Sequence, residues 1–332
     1  MTDDRESGAS SQNPSRVPPI EDWHRLLDGR VAVVTGGGAG IGGAISRLFA
    51  QHGALVEIVE IDPDRAALAV EDIEAVGGVA RAHVVDVRFD AEVEDLRGEV
   101  LGEHGRIDVL VNNVGDHRPL VRFHESDPES WSAMYAVNLE HLFRVTRAFL
   151  TPMIDGGGGS IVNVHSVEGM RGFPGEPVYA AMKAAAAHFT TSLAAGYGRR
   201  GIRVNGIGPD LTQTTQVDYL APDGPSGAGD HLWESWAPVG RLGWPVDQAR
   251  VALFLASDLS AFVTGHNVPV DGGTLAGGGW FFSPEARRFV NRQIDNHVAI
   301  IGADVIAYIA KVAQRQRSRA DVVATRNGRI GQ

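Results

Sequence analysis

From Arg30 onward, short runs rich in Val, Ile and Leu alternate with longer stretches whose apolar residues recur at helical spacing. The runs RVAVVTG, ALVEIVEID, ARAHVVDV, IDVLVNNVG, SIVNVHS, IRVNGIG and HNVPVDGG read as strands. Between them, GGAISRLFAQHG, a stretch ending near Ala75, residues 90–104, 129–150, a stretch from about 178, and 246–256 read as helices. Alternation of this kind builds βαβ units around a parallel sheet. VAVV, LVEIV and VLVNN are nearly continuous in apolar character, as strands covered by helices on both faces must be. The pattern predicts an α/β protein with a doubly wound, mainly parallel seven-stranded sheet and helices on both faces.

The rhythm fails at both ends. Residues 1–20 are polar and proline-bearing with no apolar core, and are read as a disordered leader; residues 21–282 are read as one domain. Residues 283–332 carry nine Lys/Arg against four Asp/Glu, with Val298, Ile301, Val305, Ile309 and Val312 at amphipathic spacing. They are expected to form a helical extension, packing on this or a neighbouring subunit or lying on a membrane surface.

Composition narrows the function classes. The 332-residue chain is 43% hydrophobic, enough for a substantial core, and carries a formal net charge of −11, which argues against a nucleic-acid partner. The absence of cysteine excludes disulfides, thiolate nucleophiles and zinc–sulfur sites. No apolar run of about 18 residues offers an integral membrane span, and the N-terminus lacks a signal-peptide core, so a cytoplasmic protein is expected.

Candidate chemistry lies at two places. The first strand runs into TGGGAGIGGAIS at 35–46, where glycines allow a sharp turn and close approach of a pyrophosphate to a helix N-terminus. A literal GxGxxG passes through Gly38, Gly40 and Gly43; a glycine loop that merely closes a turn is the alternative. Glu60, at the end of the second strand, can accept hydrogen bonds from ribose hydroxyls and would repel a 2′-phosphate, favouring NAD over NADP. Asp62 and Arg65 follow closely and could shift that register or offset the charge, and a strand-end carboxylate without a role stays open. Farther along, Tyr179 and Lys183 in YAAMK stand at i and i+4, on one helical face. Spacing alone would also fit a plain amphipathic helix.

Gly36, Gly40 and Gly42 after Thr35, NNVG at 112–115, Ser166 thirteen residues before Tyr179, and YxxxK together resemble the short-chain dehydrogenase/reductase family over about residues 28–276. The resemblance implies a Rossmann-like fold, hydride transfer with NAD, and a homotetramer. It implies that Gly36, Gly38, Gly40, Ile41 and Gly42, with Glu60, Asp86, Val87, Asn113, Val114 and Gly115, contact the coenzyme, and that Asn112 stabilises the sheet. Pro209, Thr212 and Thr214 would lie by the nicotinamide. Ser166 would hold the substrate oxygen, Tyr179 would be the acid–base group, and Lys183 would bind the nicotinamide ribose and depress the tyrosine pKa. Asn138 in WSAMYAVNLEHLF would support a relay water. Four positions depart from the pattern: Val114 and Glu168 where alanine is usual, Asp210 where glycine is, and His165 where a small hydroxyl residue is. His165 is expected to be satisfied by neighbouring backbone. Glu168 would disfavour anionic substrates if it faces the cleft.

The substrate side is expected from residues 117–123, 168–175 and 210–240, because ligands bind at the carboxyl ends of strands in such sheets. Leu120, Phe123, Met170, Phe173, Leu211, Tyr219, Leu220, Trp233 and Trp236 there favour a largely apolar secondary alcohol or ketone of alicyclic, terpenoid, steroid or aryl type, with APDGPSGAG at 221–229 as a flexible lid. The expected activity is an NAD-dependent alcohol dehydrogenase or ketone reductase. The alternatives are an NADPH-dependent 3-oxoacyl-thioester reductase and a non-catalytic nucleotide-binding regulatory protein.

Overall fold

Strand β1 (Val31–Thr35) alternates its side chains between two separate cores. Ala32 and Val34 point into one, with Ile45, Phe49, Ala249 and Leu253; Val31 and Val33 point into the other, with Leu96, Phe149 and Ile161. The period-2 side-chain geometry of a strand makes this division, and it requires helices on both faces. The computed structural model describes residues 20, 22–116, 123–173, 176–214 and 236–278, and the backbone of 281–283 and 288–290.

The elements follow the predicted order: α1 (Gly40–Gln51), β2 (Leu55–Glu60), α2 (Pro63–Glu74), β3 (Val79–Val84), α3 (Asp90–His104) and β4 (Val109–Asn112). Then come α4 (Pro128–Tyr135), a π-helical turn (Ala136–Glu140), α5 (His141–Asp155), β5 (Gly159–Val164), α6 (Pro177–Tyr197), β6 (Ile202–Pro209), α7 (Pro245–Ala256), β7 (Asn267–Val270) and the short α8 (Thr274–Gly277). The sheet order is β3-β2-β1-β4-β5-β6-β7, and every pair is parallel. The chain winds outward from β1 to β3 and then returns to β4 on the other side of β1. The crevice between β1 and β4 is the switch point at which such sheets bind ligands.

Two differences from the sequence reading stand out. The helix expected at 129–150 is interrupted by the π turn that carries Asn138, a widened turn of the kind found at functional sites. Near the C-terminus, β8 (Phe281–Ser283) and β9 (Arg288–Val290) pair antiparallel. This hairpin straddles the boundary drawn at 282/283, and β9 lies in the span expected to be helical. Residues 1–19 of the leader and residues 291–332 lie outside the described residues. Among the described residues no helix is long and apolar enough to cross a membrane.

Candidate active site

The carboxyl ends of β1, β2, β4, β5 and β6 open into a single cavity of about 860 Å³. Its nucleotide end is built first by the loop after β1. Gly36 has φ +61° and Gly40 φ +56°, a region side chains rarely adopt. A Cβ on Gly42 would stand 2.0 Å from the Gly36 carbonyl oxygen. That contact lets α1 begin directly beneath the loop. Ala39 caps α1 without a side-chain hydrogen bond, and no acid lies in the first turn, so its first N–H groups face the cavity beside Gly36, Gly40 and Ile41. Gly38 and Gly42 are not among the cavity-lining residues. Gly42 serves the close packing, and Gly38 donates its N–H to Glu60 Oε2 at 3.2 Å.

Glu60 is 7% exposed and lines the cavity. Its other oxygen accepts from Ile61 N at 3.0 Å and Asp62 N at 3.3 Å. Three backbone N–H groups therefore fix this carboxylate at the end of β2. Asp62 does not take its place, because its Oδ1 caps α2 by accepting from Asp64 N and Arg65 N. Asp86 and Val87 also line the cavity; Arg88 grips the Asp86 carboxylate, with Nε 2.8 Å from Oδ1 and Nη2 2.6 Å from Oδ2. That guanidinium holds the Asp86 carboxyl below the usual carboxylate range.

The middle of the cavity is formed by Asn113, Val114 and Gly115. Asn113 Nδ2 reaches Thr35 O at 3.1 Å and Gly36 O at 3.2 Å, tying β4 to the glycine loop. Asn112 points into the sheet instead, donating to Thr146 Oγ1 at 3.1 Å and Asn163 Oδ1 at 2.9 Å. Pro209, Thr212 and Thr214 line the wall opposite.

At the reacting end, Glu176 caps α6 through Val178 N and Tyr179 N, with Pro177 in the first turn. This fixes the helix start and thereby the direction of Tyr179 and, one turn later, Lys183. Both line the cavity with Ser166, which stands two residues past the end of β5. The Ser166 and Tyr179 hydroxyls are hydrogen-bond partners. Lys183 Nζ lies 5.6 Å from the centre of the tyrosine ring and donates to Val164 O at 3.5 Å.

The electrostatics differ from expectation. Burial pushes the Tyr179 phenol up to about 12; the Ser166 hydrogen bond pulls it down, and Glu168, Asp116 and Asp210 add to the rise. Burial also lowers Lys183 to about 8, against an opposing pull from Asp116. Desolvation is the largest cause of both shifts.

Asn138 is 1% exposed and does not itself line the cavity, although Val137 does. Its Nδ2 donates to Asp116 O at 2.7 Å and its Oδ1 accepts from Asp116 N at 3.2 Å. A Cβ on Gly115 would meet both Lys183 Nζ, at 2.6 Å, and Asn138 Oδ1, at 3.0 Å. Asn138 thus sits directly behind the loop that faces the lysine. One turn later, His141 is fully buried against the Val114 backbone, without a hydrogen bond at either ring nitrogen, and burial beside Lys183 drives it down to about 3. The sequence reading passed over this residue, although a histidine between Leu139 and Leu142 in an apolar helix was the available signal.

Of the expected substrate-side residues, Phe173, Leu211 and Trp236 line the cavity, and Phe173 packs edge-on against Tyr179 with ring centres 6.5 Å apart. Phe123 and Met170 do not line it. Phe123 instead stacks on Trp131, ring centres 5.6 Å apart. Leu120, Tyr219, Leu220, Trp233 and the lid at 221–229 lie outside the described residues. His165 meets the neighbouring backbone at one nitrogen only: Nδ1 lies 3.2 Å from Ser166 O, while Nε2 is buried without a hydrogen-bond partner. The remaining wall is charged rather than apolar: Glu168, Asp210 and Arg171, the last not singled out from sequence, all line it.

Comparisons with known proteins agree with this geometry. The family described as enoyl-(acyl carrier protein) reductase matches residues 36–274. The 3-oxoacyl-(acyl-carrier-protein) reductase of Chlamydia muridarum (strain MoPn / Nigg) is 39% identical over 252 residues, covering 75% of this chain and 98% of the relative. A short-chain type dehydrogenase/reductase from Mycobacterium ulcerans superposes with a TM-score of 0.71 at 30% identity, covering 75% of this chain and 91% of that one. The 7α-hydroxysteroid dehydrogenase complexed with NADH and 7-oxo glycochenodeoxycholic acid gives 0.69 at 32% identity, covering 75% and 96%. With the parallel seven-stranded sheet, the glycine loop at its switch point and the serine, tyrosine and lysine in one cavity, these matches place the chain in the short-chain dehydrogenase/reductase family of oxidoreductases.

Proposed function

We propose that this oxidoreductase uses NAD to interconvert an uncharged secondary alcohol and its ketone. The observation that carries the reading is one continuous cavity joining Glu60 at one end to Ser166, Tyr179 and Lys183 at the other. Residues along it fit a dinucleotide: bare α1 N–H groups by Gly36, Gly40 and Ile41 for the pyrophosphate, Glu60 for the ribose, and Asp86 and Val87 for the adenine. The Asn113–Gly115 backbone with Pro209, Thr212 and Thr214 suits the nicotinamide half. The bound coenzyme supplies or accepts the hydride.

In reduction, Tyr179 gives its proton to the oxygen of the carbonyl as that oxygen gains charge, and Ser166 holds the same oxygen through its hydroxyl. A phenol pushed up to about 12 keeps its proton at neutral pH and is ready for this direction. In oxidation, the phenol must first lose that proton, and the Lys183 cation favours the phenolate. Asn138 is a positioning residue that holds the Asp116 backbone behind Gly115. The intact set of Ser166, Tyr179 and Lys183 weighs against a non-catalytic nucleotide-binding role.

A second reading, 3-oxoacyl-thioester reduction with NADPH, is favoured by the name of the Chlamydia muridarum relative and by Arg65 and Arg88 at the ribose end of the cavity. Both arginines are paired with carboxylates, Arg88 with Asp86 and Arg65 with Asp62 at 3.5 Å, so neither is offered unpaired to a phosphate. Titration with NADH and NADPH, followed by absorbance assays on uncharged secondary alcohols and on an acetoacetyl thioester, separates the readings. Tighter NADPH binding with turnover of the thioester alone would sink the first. A homo-oligomer is the expected assembly, in keeping with exposed Phe143, Phe254 and Phe262, and light scattering checks it.

A further inference from the structure

The substrate wall carries its own ion cluster. Arg171, in the loop after β5, places Nη2 2.6 Å from Glu168 Oε1 and 3.0 Å from Asp210 Oδ2. Asp210, at the end of β6, is only 6% exposed at its side chain, and the same Oδ2 also accepts from Trp236 Nε1 at 3.2 Å and from the Thr274 hydroxyl of α8. Asp210 Oδ1 accepts from Leu211 N at 2.8 Å. One carboxylate therefore joins three segments around the reacting end, and Arg171 lies over the Trp236 ring, 5.8 Å from its centre. Two carboxylates against one guanidinium leave this wall with a formal charge of −1. Asp116 adds a further negative field at Tyr179.

We propose that the Glu168–Arg171–Asp210 triad selects uncharged substrates over carboxylate-bearing ones, by occupying the wall's guanidinium with two of the protein's own carboxylates. Arginine is the side chain best suited to grip a substrate carboxylate, with its planar fork of donors. Here Nε and Nη2 of that fork are already taken by Glu168 and Asp210, so an incoming carboxylate meets a guanidinium whose charge is offset twice over and a wall with surplus negative charge. A carboxamide of the same shape meets no such penalty. The inference rests on the reading of this cavity as a dehydrogenase site and names what that site accepts.

The test is a charge series on the NAD-loaded protein, which has no hydride to give a ketone, titrated by calorimetry with 4-oxocyclohexane-1-carboxamide and 4-oxocyclohexane-1-carboxylate. Wild type should bind the amide at least about tenfold more tightly, and Asp210→Asn or Glu168→Gln should each shift the ratio about tenfold toward the carboxylate. The double variant, with a net positive wall, should reverse the preference, and Arg171→Gln should widen it. Two independent single substitutions guard against one of them failing to fold. A ratio that stays constant across the series, a wild type that prefers the carboxylate, or no binding of either compound would overturn the proposal. Failure of NADH to bind, or undiminished turnover in Tyr179→Phe, would instead overturn the reading of the site; a flat ratio with both of those intact removes this inference alone.

Discussion

Replacing Glu60 by glutamine should convert a coenzyme preference into near-indifference. The carboxylate is held at the end of β2 by N–H groups of Gly38, Ile61 and Asp62 and faces the cavity. Around it, Glu60, Asp62 and Asp86 face Arg65 and Arg88, three carboxylates against two guanidiniums, so the rim is negative by one charge. Unit charges 4 Å apart interact by about 1 kcal/mol in water and about 4 kcal/mol near a protein surface. The exposed rim, with Arg65 about half exposed, belongs toward the weaker limit, and a 2′-phosphate carries roughly −1.5 to −2 charges. A penalty of about 2 kcal/mol, or about thirtyfold, is the resulting expectation for NADPH relative to NADH. Glutamine keeps the size and one carbonyl acceptor for Gly38 N while removing the charge. Fluorescence titration of both coenzymes at about 50 mM and about 500 mM salt reads the ratio, and screening should shrink the wild-type preference but leave the variant unmoved. Wild-type protein that binds NADPH more tightly, or a Glu60→Gln ratio equal to that of wild type, refutes the reasoning.

Other outcomes follow from the same geometry. Tyr179→Phe should lower turnover by about 10²–10⁴-fold while NADH affinity holds, as measured by titration beside the steady-state assay. With Lys183 lowered to about 8, its charge is lost above that pH, so kcat/KM for ketone reduction should decline above about pH 8, while Tyr179 stays protonated; a profile flat to pH 10 would contradict this. His141 is lowered from 6.5 to about 3, so folding favours its neutral form; that stability is complete above pH 6.5 and drains as pH falls toward 3. Between pH 7.5 and pH 5 it amounts to about 2 kcal/mol, and His141→Gln should flatten the acid dependence of urea unfolding by that amount. Gly42→Ala drives a Cβ to 2.0 Å from the Gly36 carbonyl oxygen and should cost about 3 kcal/mol, read as a lowered Tm together with weakened coenzyme binding.

The sheet was legible because its strands serve two cores at once. A strand such as VAVVT can keep an unbroken apolar run only if helices cover both faces, and that single requirement implies the layer order. The glycine loop was legible for a related reason, since close approach of backbone to backbone admits only glycine at Gly42. The π turn was not. WSAMYAVNLEHLF keeps apolar residues at near-helical spacing through the turn, and one residue more in a single hydrogen-bonded ring leaves little mark on such a pattern. What accompanies it is tertiary, the pair of hydrogen bonds between Asn138 and the Asp116 backbone.

The charged wall shows why the substrate side resisted reading. Asp210 was noticed for a backbone reason, as a side chain where glycine was expected, yet what matters is its carboxylate, which collects Arg171, Trp236 and Thr274 from separate stretches of chain. Trp236 was counted as apolar surface, but its indole N–H makes it a polar partner of that carboxylate. Nothing local in the sequence couples residues 171, 210, 236 and 274, because they meet only where β5, β6 and β7 end side by side. The order of strands, rather than any motif, brings them together. The acid–base pair on α6 could be read from four residues of spacing; what it accepts is written in contacts between loops that the sheet alone makes neighbours.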